Sequence, residues 1–211
     1  MKRTVAIPEL GVRTRRVPAE PETRPGILAD FDTQLMLQVR DGSVEAGNLL
    51  IRRNLERVYR YIARVVRNPR PVEDLTQDVF LQVLKNAPRY EPTARFSTWL
   101  YRIATNTALN YLSQAYTKMP RDAEVSAGAA RVADRAESGP ERQMSLEELR
   151  AKVSGAINEL PAKQRVALTL FQYEELSYEQ IAAVLDTTVE AVRCLLKRAR
   201  DTLRAKLEGL L

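Results

Sequence analysis

Apolar residues recur at helical spacing over two separate stretches of this chain, and this pattern constrains its fold more than any other feature. Leu75, Val79 and Val83 show the spacing in the first stretch, and the pattern resumes at Met144 after a gap over residues 116–143. Apolar side chains three or four residues apart lie on one face of an amphipathic helix. The sequence therefore predicts an all-α fold of two small helical bundles. Only 8 of the 211 residues are glycine, which also disfavours a turn-rich β fold.

Two segments lack this periodicity and are expected to lie outside the bundles. Residues 1–26 contain four prolines and alternating charges, and residues 116–143 are mostly small and charged. Such compositions bury too little apolar surface to form a stable core. The predicted organisation is a disordered arm over 1–26, a first bundle over 27–115, a flexible linker over 116–143 and a second bundle over 144–211.

Four helices are expected in the first bundle. The first is capped by Asp32, and the second covers about residues 45–67. The third is formed by VEDLTQDVFLQVLKN, and the fourth by FSTWLYRIATNTALNYL, with Ser97 or Thr98 as its N-cap. The second helix is expected to bury Leu55, Val58, Tyr59, Ile62 and Val66, and the third to bury Leu75, Val79, Phe80, Val83 and Leu84.

The segment LSYEQIAAVLDTTVEAVRCLLKRARDTLRAKL has the features of a helix-turn-helix. Ser177 with Gln180, and Thr187 with Glu190, have the spacing of capping boxes, in which the N-cap and a side chain three residues later bind free backbone amides. Asp186 stands at the corner, and aspartate tolerates the left-handed conformation better than most residues. An ordinary helical hairpin with a solvated basic face is the alternative, but the combination of features favours DNA binding.

The second helix of this pair is strongly basic, with six basic and two acidic residues over positions 189–206. A helix in the major groove reads base edges with its first turns, and lysine and arginine neutralise phosphates. The only cysteine of the chain lies on this helix, where a tolerated small residue is a simpler interpretation than a redox switch. The outward positions are Glu190, Arg193, Cys194, Lys197, Arg198 and Arg200.

The fourth helix of the first bundle combines aromatic and polar side chains. Leu100, Ile103, Ala104, Thr107, Ala108 and Tyr111 are expected to face the bundle. Unpaired bases stack on aromatic rings at about 1–3 kcal/mol each, and asparagine and arginine supply hydrogen bonds to bases and phosphates. The pattern predicts a surface for single-stranded nucleic acid, with core packing of the rings as the alternative. This surface would consist of Thr98, Arg102, Asn106 and Asn110, flanked by Phe96, Trp99 and Tyr101.

Composition argues against several other classes of protein. The chain has no histidine and one cysteine, which argues against histidine-based triads, the common zinc sites and an internal disulfide. No glycine-rich phosphate loop is present, so we expect no catalysis, no cofactor, no bound metal and no small-molecule substrate. Pro8 and Glu9 interrupt the apolar run that a signal peptide would need, so no signal peptide is expected. No other apolar run approaches the length of a membrane span, which is about 18 residues. A cytoplasmic protein is therefore expected, and its net charge of +6 suits a nucleic-acid partner.

The long ordered motifs of the chain resemble those of bacterial sigma factors. EDLTQDVFLQVLKNAPRYEP and FSTWLYRIATNTALNYL are similar to sigma region two, and INELPAKQRVALTLFQYEELSYEQIAAVLD with the helix after it is similar to region four. The chain resembles the extracytoplasmic-function (ECF) group over about residues 31–114 and 144–207. The resemblance implies a promoter-specificity subunit that binds the clamp helices and the flap of core RNA polymerase. It also implies opening of the minus-ten element, reading of the minus-35 element and control by an anti-sigma factor.

The resemblance also assigns roles to individual residues. The surface for core polymerase would consist of Asp74, Leu75, Gln77, Asp78 and Phe80. The minus-ten strand would be held by the loop 90–95 and the following helix, through Tyr90, Arg95, Phe96, Thr98, Trp99, Arg102, Asn106 and Asn110. The minus-35 element would be read through Thr188, Glu190, Arg193, Cys194, Lys197 and Arg198.

The recognition helix departs from the family pattern, and two of the departures bear directly on contact with DNA. Glu190 and Leu195 stand where glycine and arginine are usual, and both changes weaken contact with phosphate. Two other interpretations therefore stay open. One is a free-standing helix-turn-helix regulator that binds duplex operators without polymerase, and the other is a sigma-like decoy or adaptor whose DNA surface has decayed.

Overall fold

The computed structural model describes residues 24–118 and 146–208, and within these ranges it contains helices and no strand. The prediction of an all-α fold is therefore confirmed. Most of the expected arm and linker lies outside the described residues. The N-terminal bundle comprises α1 (Arg24–Leu28), α2 (Phe31–Arg40), α3 (Val44–Val66), α4 (Val72–Asn86), a 3-10 helix (Ala87–Arg89) and α5 (Phe96–Lys118). The C-terminal bundle comprises α6 (Leu146–Asn158), α7 (Ala162–Gln172), α8 (Tyr178–Leu185) and α9 (Val189–Leu207).

A relay of hydrogen bonds joins the start of α2 to the start of α5. Asp30 is the N-cap of α2, and its carboxylate accepts the backbone amide of Thr33 at 2.9 Å and the Thr33 hydroxyl at 2.8 Å. That hydroxyl in turn accepts the backbone amide of Phe96 at 3.0 Å. The expected cap at Ser97 or Thr98 is therefore wrong, because α5 begins at Phe96 and another helix satisfies its first amide.

We expect this relay of hydrogen bonds to stabilise the N-terminal bundle. Thr33→Val keeps the shape of the side chain but removes the hydroxyl, which leaves the buried amide of Phe96 without an acceptor. The loss is expected to lower the free energy of unfolding by about 1–3 kcal/mol, as measured by urea denaturation. Thr33→Ser retains the hydroxyl and serves as the control. An unchanged unfolding midpoint for the valine variant would show that the relay does not stabilise the bundle.

Asp32 does not cap the first predicted helix but ties α2 to α3. Its carboxylate accepts a hydrogen bond from the Nε of Arg53 at 2.8 Å and another from the side-chain amide of Asn54 at 3.2 Å. The expectation of a cap at this position was wrong by two residues, because the helix begins at Phe31, directly after Asp30. Asp32 lies instead in the first turn, where its negative charge interacts favourably with the positive end of the helix dipole.

The buried face of α3 also differs from the predicted one. Leu55 and Tyr59 are 47% and 44% exposed, although the other three predicted positions are buried. The buried stripe runs through Asn54 and Val58, and Leu55 and Tyr59 each lie one position later, which is about 100° further around the helix. Leu84 of α4, also expected in the core, is 40% exposed. The buried residues of α3 are Ala46, Gly47, Leu50, Asn54, Val58, Tyr61, Ile62, Val65 and Val66.

Helices α8 and α9 form the predicted helix-turn-helix. The first capping box is present: the Ser177 hydroxyl accepts the backbone amide of Gln180 at 3.2 Å, and the side-chain oxygen of Gln180 accepts the backbone amide of Ser177 at 2.8 Å. Asp186 ends α8 in the left-handed conformation, with φ of 50° and ψ of 56°. Both features match the expectation from the sequence.

The second predicted capping box is displaced by one residue. Thr188, not Thr187, is the N-cap of α9, and its hydroxyl accepts the backbone amide of Ala191 at 3.2 Å. The backbone amide of Thr187 still belongs to the end of α8, since it donates to the carbonyl of Ala182 at 3.0 Å. The corner therefore uses one more residue than the capping-box spacing suggested.

The two bundles pack directly against each other, which the sequence did not predict. Helix α5 contacts α8, and α3 contacts α7. Arg165 of α7 is buried and donates from Nε to the carbonyl of Val65 in α3 at 2.8 Å. It also donates from Nη1 to the carbonyls of Asn158 and Leu160 at 2.8 and 3.2 Å. One arginine thus satisfies carbonyl groups near the ends of helices in both bundles.

Candidate nucleic-acid interface

The outer face of α9 carries the residues predicted to face the minus-35 DNA. The six positions are Thr188, Glu190, Arg193, Cys194, Lys197 and Arg198, and all of them are exposed. The inner face buries Val192, Leu196 and Ala199, while the helix packs on α6, α7 and α8. This division leaves the basic side chains on the surface that a major groove would meet.

The two departures from the family pattern have different structural consequences. Leu195 is partly buried and packs against the core, so it lies away from the most exposed face of the helix. Glu190 is exposed, and its carboxylate lies 3.8 Å from the guanidinium of Arg193. An exposed ion pair of this kind is weak. The glutamate nevertheless places a negative charge at the end of the helix that would enter the groove.

Helix α5 exposes three of the four polar residues predicted to form a stripe. Arg102, Asn106 and Asn110 are exposed, as is Arg95 in the loop before the helix. Thr98 is instead 4% exposed, and its buried hydroxyl has no hydrogen-bond partner. Residues four apart on a helix are offset by about 40°, so a row of four positions turns through about 120° and does not stay on one face. Thr98 is consequently a packing residue in this arrangement.

The aromatic residues beside this stripe divide into one surface ring and several buried rings. Trp99 is half-buried, whereas Tyr90, Phe96 and Tyr101 are 2%, 0% and 0% exposed. The ring centroids of Tyr90 and Phe96 lie 5.1 and 5.9 Å from that of Trp99, with Tyr90 edge-on. Edge-to-face pairs of this kind stabilise cores by about 0.5–1.5 kcal/mol beyond their buried area. Tyr90 and Phe96 therefore pack against Trp99 from the protein side, whereas the ring of Tyr101 packs against Tyr61 in the core.

The outer face of α4 carries the polar part of the predicted polymerase surface. Asp74, Gln77 and Asp78 are exposed at helical spacing. Leu75 and Phe80 are 8% and 5% exposed and belong to the core, because they lie on the stripe that packs against the bundle. These two residues therefore position α4 and do not contribute to its outer surface.

Sequence reasoning missed one residue on this face. Leu81 is 64% exposed and lies three and four residues after Asp78 and Gln77. The signal in the sequence was a large apolar side chain at a position outside the buried stripe of this amphipathic helix. Leu81 places an apolar centre beside the exposed acidic residues, which is the usual composition of a protein–protein contact.

The described parts of the chain also lack two other kinds of site. No helix in them has the length and apolar character needed to cross a membrane. No group of three or more potential metal-binding residues comes together in the same ranges.

Family models match both bundles. Residues 50–117 match the model of Sigma-70 region 2, and residues 150–203 match that of Sigma-70 region 4. The chain is 35% identical over 185 residues to the RNA polymerase sigma-H factor of Pseudomonas aeruginosa, with 85% of this chain and 95% of that protein covered. It is 37% identical over 188 residues to the ECF RNA polymerase sigma-E factor of Escherichia coli K12, with 85% and 96% covered.

Two solved structures have a similar fold. One is CnrH in complex with the cytosolic domain of CnrY, at a TM-score of 0.62 and 23% identity over 85% of this chain and 99% of that chain. The other is the sigma factor RpoE in complex with the anti-sigma factor NepR from Bartonella quintana, at a TM-score of 0.56 and 23% identity over 78% and 98%. Together with the family matches in both bundles and the relatives that align over most of the chain, they lead to one conclusion: the chain belongs to the sigma-70 family and is an ECF RNA polymerase sigma factor.

Proposed function

We propose that this ECF sigma factor directs core RNA polymerase to promoters through three surfaces, each presented by one helix. Helix α4 contacts the polymerase, α5 holds the non-template strand of the minus-ten element, and α9 reads the minus-35 duplex. One observation carries the proposal. Helix α5 exposes Arg102, Asn106 and Asn110 next to a half-buried Trp99, and this combination suits unpaired bases because an aromatic ring stacks on a base that has left the duplex.

The arrangement around Trp99 supports capture of a strand. Its indole is held from the protein side by Tyr90 and Phe96, so the ring is oriented before a base arrives. A fixed aromatic face stacks on a base without losing side-chain freedom on binding. Asn106 and Arg102 on the same helix supply hydrogen bonds to the base edge and charge to the phosphate. Opening of the duplex is then favoured because the separated strand is bound.

The outer face of α4 supports contact with core polymerase. Asp74 and Asp78 give it negative charge, and Leu81 gives it an apolar centre. Such a face is complementary to a basic, amphipathic partner, and the clamp helices of the largest subunit are the partner that the family implies. The flap of the polymerase is the corresponding partner of the C-terminal bundle.

Helix α9 makes a testable prediction about the minus-35 element. Arg193→Ala is expected to reduce discrimination at a single base pair by about 1–3 kcal/mol, because one arginine pairs with one guanine edge. Competition between promoters that differ only in the minus-35 element, bound by holoenzyme, measures this change. Arg204→Ala removes an exposed arginine from the last turn of the same helix and should affect all sequences alike. An unaltered base preference in the Arg193 variant would exclude it as a reading residue.

We further propose that an anti-sigma protein regulates this chain and that the chain itself catalyses no reaction. Two structurally similar chains are described as complexes with CnrY and with the anti-sigma factor NepR. An anti-sigma protein is therefore the expected regulator of this chain. The protein would act in the cytoplasm as an initiation factor without catalysis of its own.

The free-standing regulator makes a contrasting prediction about affinity. Such a regulator binds duplex operators tightly in the absence of polymerase, whereas the proposed sigma factor binds promoters tightly only in holoenzyme. Gel-shift titrations with and without core polymerase distinguish the two. Strong specific binding of the free chain to closed duplex would favour the regulator. The decoy differs from both, since it binds core polymerase without supporting transcription.

A further inference from the structure

A carboxylate of the C-terminal bundle is enclosed by side chains of the N-terminal bundle. Glu174 lies in the loop between α7 and α8, and its side chain is only 6% exposed. Its oxygens lie 3.2 Å from the Nε of Arg57 and 3.7 Å from the Nη1 of Arg64, both in α3. The hydroxyl of Tyr101 in α5 donates a hydrogen bond to the same carboxylate. One acidic side chain thus joins two helices of the other bundle.

The surroundings of Glu174 strengthen this contact. Burial and the hydrogen bond to the carboxylate raise the pKa of Tyr101, so its hydroxyl remains a donor at neutral pH. The guanidinium of Arg57 lies 5.1 Å from the Tyr101 ring, and that of Arg64 lies 4.3 Å from the ring of Tyr173, next to Glu174 in the chain. Charge-assisted hydrogen bonds in a partly dry site are about twice as strong as neutral ones. The hydrogen bonds and ion pairs of this cluster therefore stabilise the contact between the two bundles.

A second contact between the bundles lies at the end of α3. Arg67 ends this helix with φ of 62° and donates from Nη2 to the carbonyl of Ser154 in α6 at 3.2 Å. It also donates to the side chain of Asn158, near the point where Arg165 meets the carbonyl of Val65. In this second contact the two arginines donate to backbone carbonyls and to uncharged side chains, whereas the Glu174 cluster pairs a carboxylate with two guanidinium groups.

The closed arrangement is incompatible with binding both promoter elements at once. The minus-ten and minus-35 elements are about 25 base pairs apart, which corresponds to about 85 Å along B-DNA. A compact body of about 160 residues has a radius of gyration of about 15 Å and a diameter of about 40 Å. With α8 packed on α5, the two reading surfaces belong to one such body. The 28 Cα-to-Cα steps from residue 118 to residue 146 can span at most about 90–100 Å when the bundles separate.

We propose that Glu174, with Arg57, Arg64 and Tyr101, forms a latch that holds the free sigma factor closed and must open before the chain can bind core polymerase and promoter together. The functional effect of this latch rests on the proposed function, since closure prevents promoter recognition only if the chain binds both promoter elements. Closure itself is a property of the free chain. A chain whose binding-competent form is a minor fraction binds with an apparent affinity lowered by that fraction.

The closed state is measured by energy transfer within the free, full-length chain. One dye is attached to Cys194, the only cysteine and an exposed one, and the other to a cysteine introduced by Asn48→Cys on α3. Glu174→Arg places a third positive charge among the arginines and is expected to lower transfer efficiency by shifting the closed-to-open ratio at least about tenfold. Glu175→Arg makes the same charge change at the adjacent exposed residue and should leave transfer unchanged.

A rescue variant separates an opened latch from a misfolded chain. Adding Arg57→Glu to Glu174→Arg reverses the ion pair and is expected to restore part of the transfer efficiency. Equal transfer in the wild type and the Glu174 variant would overturn the latch. So would loss of transfer that the reversed pair does not restore. Because neither polymerase nor DNA is present, these outcomes do not depend on the proposed promoter contacts.

The affinity for core polymerase shows separately whether the latch limits binding. The opened Glu174→Arg variant is expected to bind core polymerase with a lower apparent Kd than the wild type, while the Glu175→Arg control matches the wild type. An opened chain with unchanged affinity for core would overturn gating. If no variant supports transcription but the opened chain still binds core more tightly, the proposed promoter contacts fail and the latch stands.

Discussion

Replacing Trp99 with alanine is expected to reduce promoter opening by about fivefold to a hundredfold, since base–aromatic stacking contributes about 1–3 kcal/mol. Trp99 is the half-buried member of the aromatic group on α5, and two buried rings hold it from below. The effect should fall on opening and not on assembly of the holoenzyme. Fluorescence of 2-aminopurine placed in the minus-ten element measures opening directly.

Two further variants show whether the loss reflects stacking. Trp99→Phe retains an aromatic face and should recover much of the opening, while Gln114→Ala removes an exposed polar residue from the same helix and should have little effect. Asn106→Ala, whose side chain is exposed and outside the core, should lower opening without lowering the stability of the bundle. Unchanged opening in both the Trp99→Ala and Asn106→Ala variants would remove α5 from strand capture.

Replacing Leu81 with glutamate is expected to weaken binding to core polymerase at least thirtyfold, because a central apolar residue of an interface contributes about 2 kcal/mol or more. The side chain is 64% exposed, so the change does not disturb the core of the bundle. The glutamate would also add a third negative charge near Asp74 and Asp78 and would bury it in the complex. Fluorescence anisotropy of the labelled sigma factor titrated with core polymerase gives the Kd.

A matched substitution tests whether position matters. Val44 is 69% exposed at the first residue of α3, away from the outer face of α4 in the sequence. Val44→Glu makes a similar apolar-to-acidic change and should leave the Kd for core polymerase near the wild-type value. Equal losses in the two variants would indicate a general charge effect, and no loss in the Leu81 variant would place the polymerase contact elsewhere.

Features that depend on neighbouring residues in the chain were predictable from the sequence. The helix-turn-helix with its Ser177–Gln180 capping box and its left-handed corner at Asp186 follows from local spacing and local conformational preference. The exposed face of α9 follows from helical periodicity in the same way. The errors at helix ends were small. Asp30 replaced Asp32 and Thr188 replaced Thr187 as caps because each neighbouring residue is also able to cap.

Features that depend on residues far apart in the chain were not predictable. Phe96 and Tyr90 are buried because the loop before α5 packs beneath Trp99. Helical periodicity contains no information about the packing of a loop. Glu174 reads as one of two adjacent acidic residues in a loop. Its enclosure by Arg57 and Tyr101 depends on contacts 117 and 73 residues away in the chain.

Run-off transcription shows directly whether this chain selects promoters for core polymerase through two DNA-reading surfaces. Purified bacterial core polymerase, the protein and a random promoter library are combined, and the transcribed templates are sequenced. We expect transcripts that depend on the protein and share a minus-ten element and a second upstream element about 25 base pairs away. Binding to core polymerase without any such transcripts would show that the chain does not select promoters and would indicate a decoy.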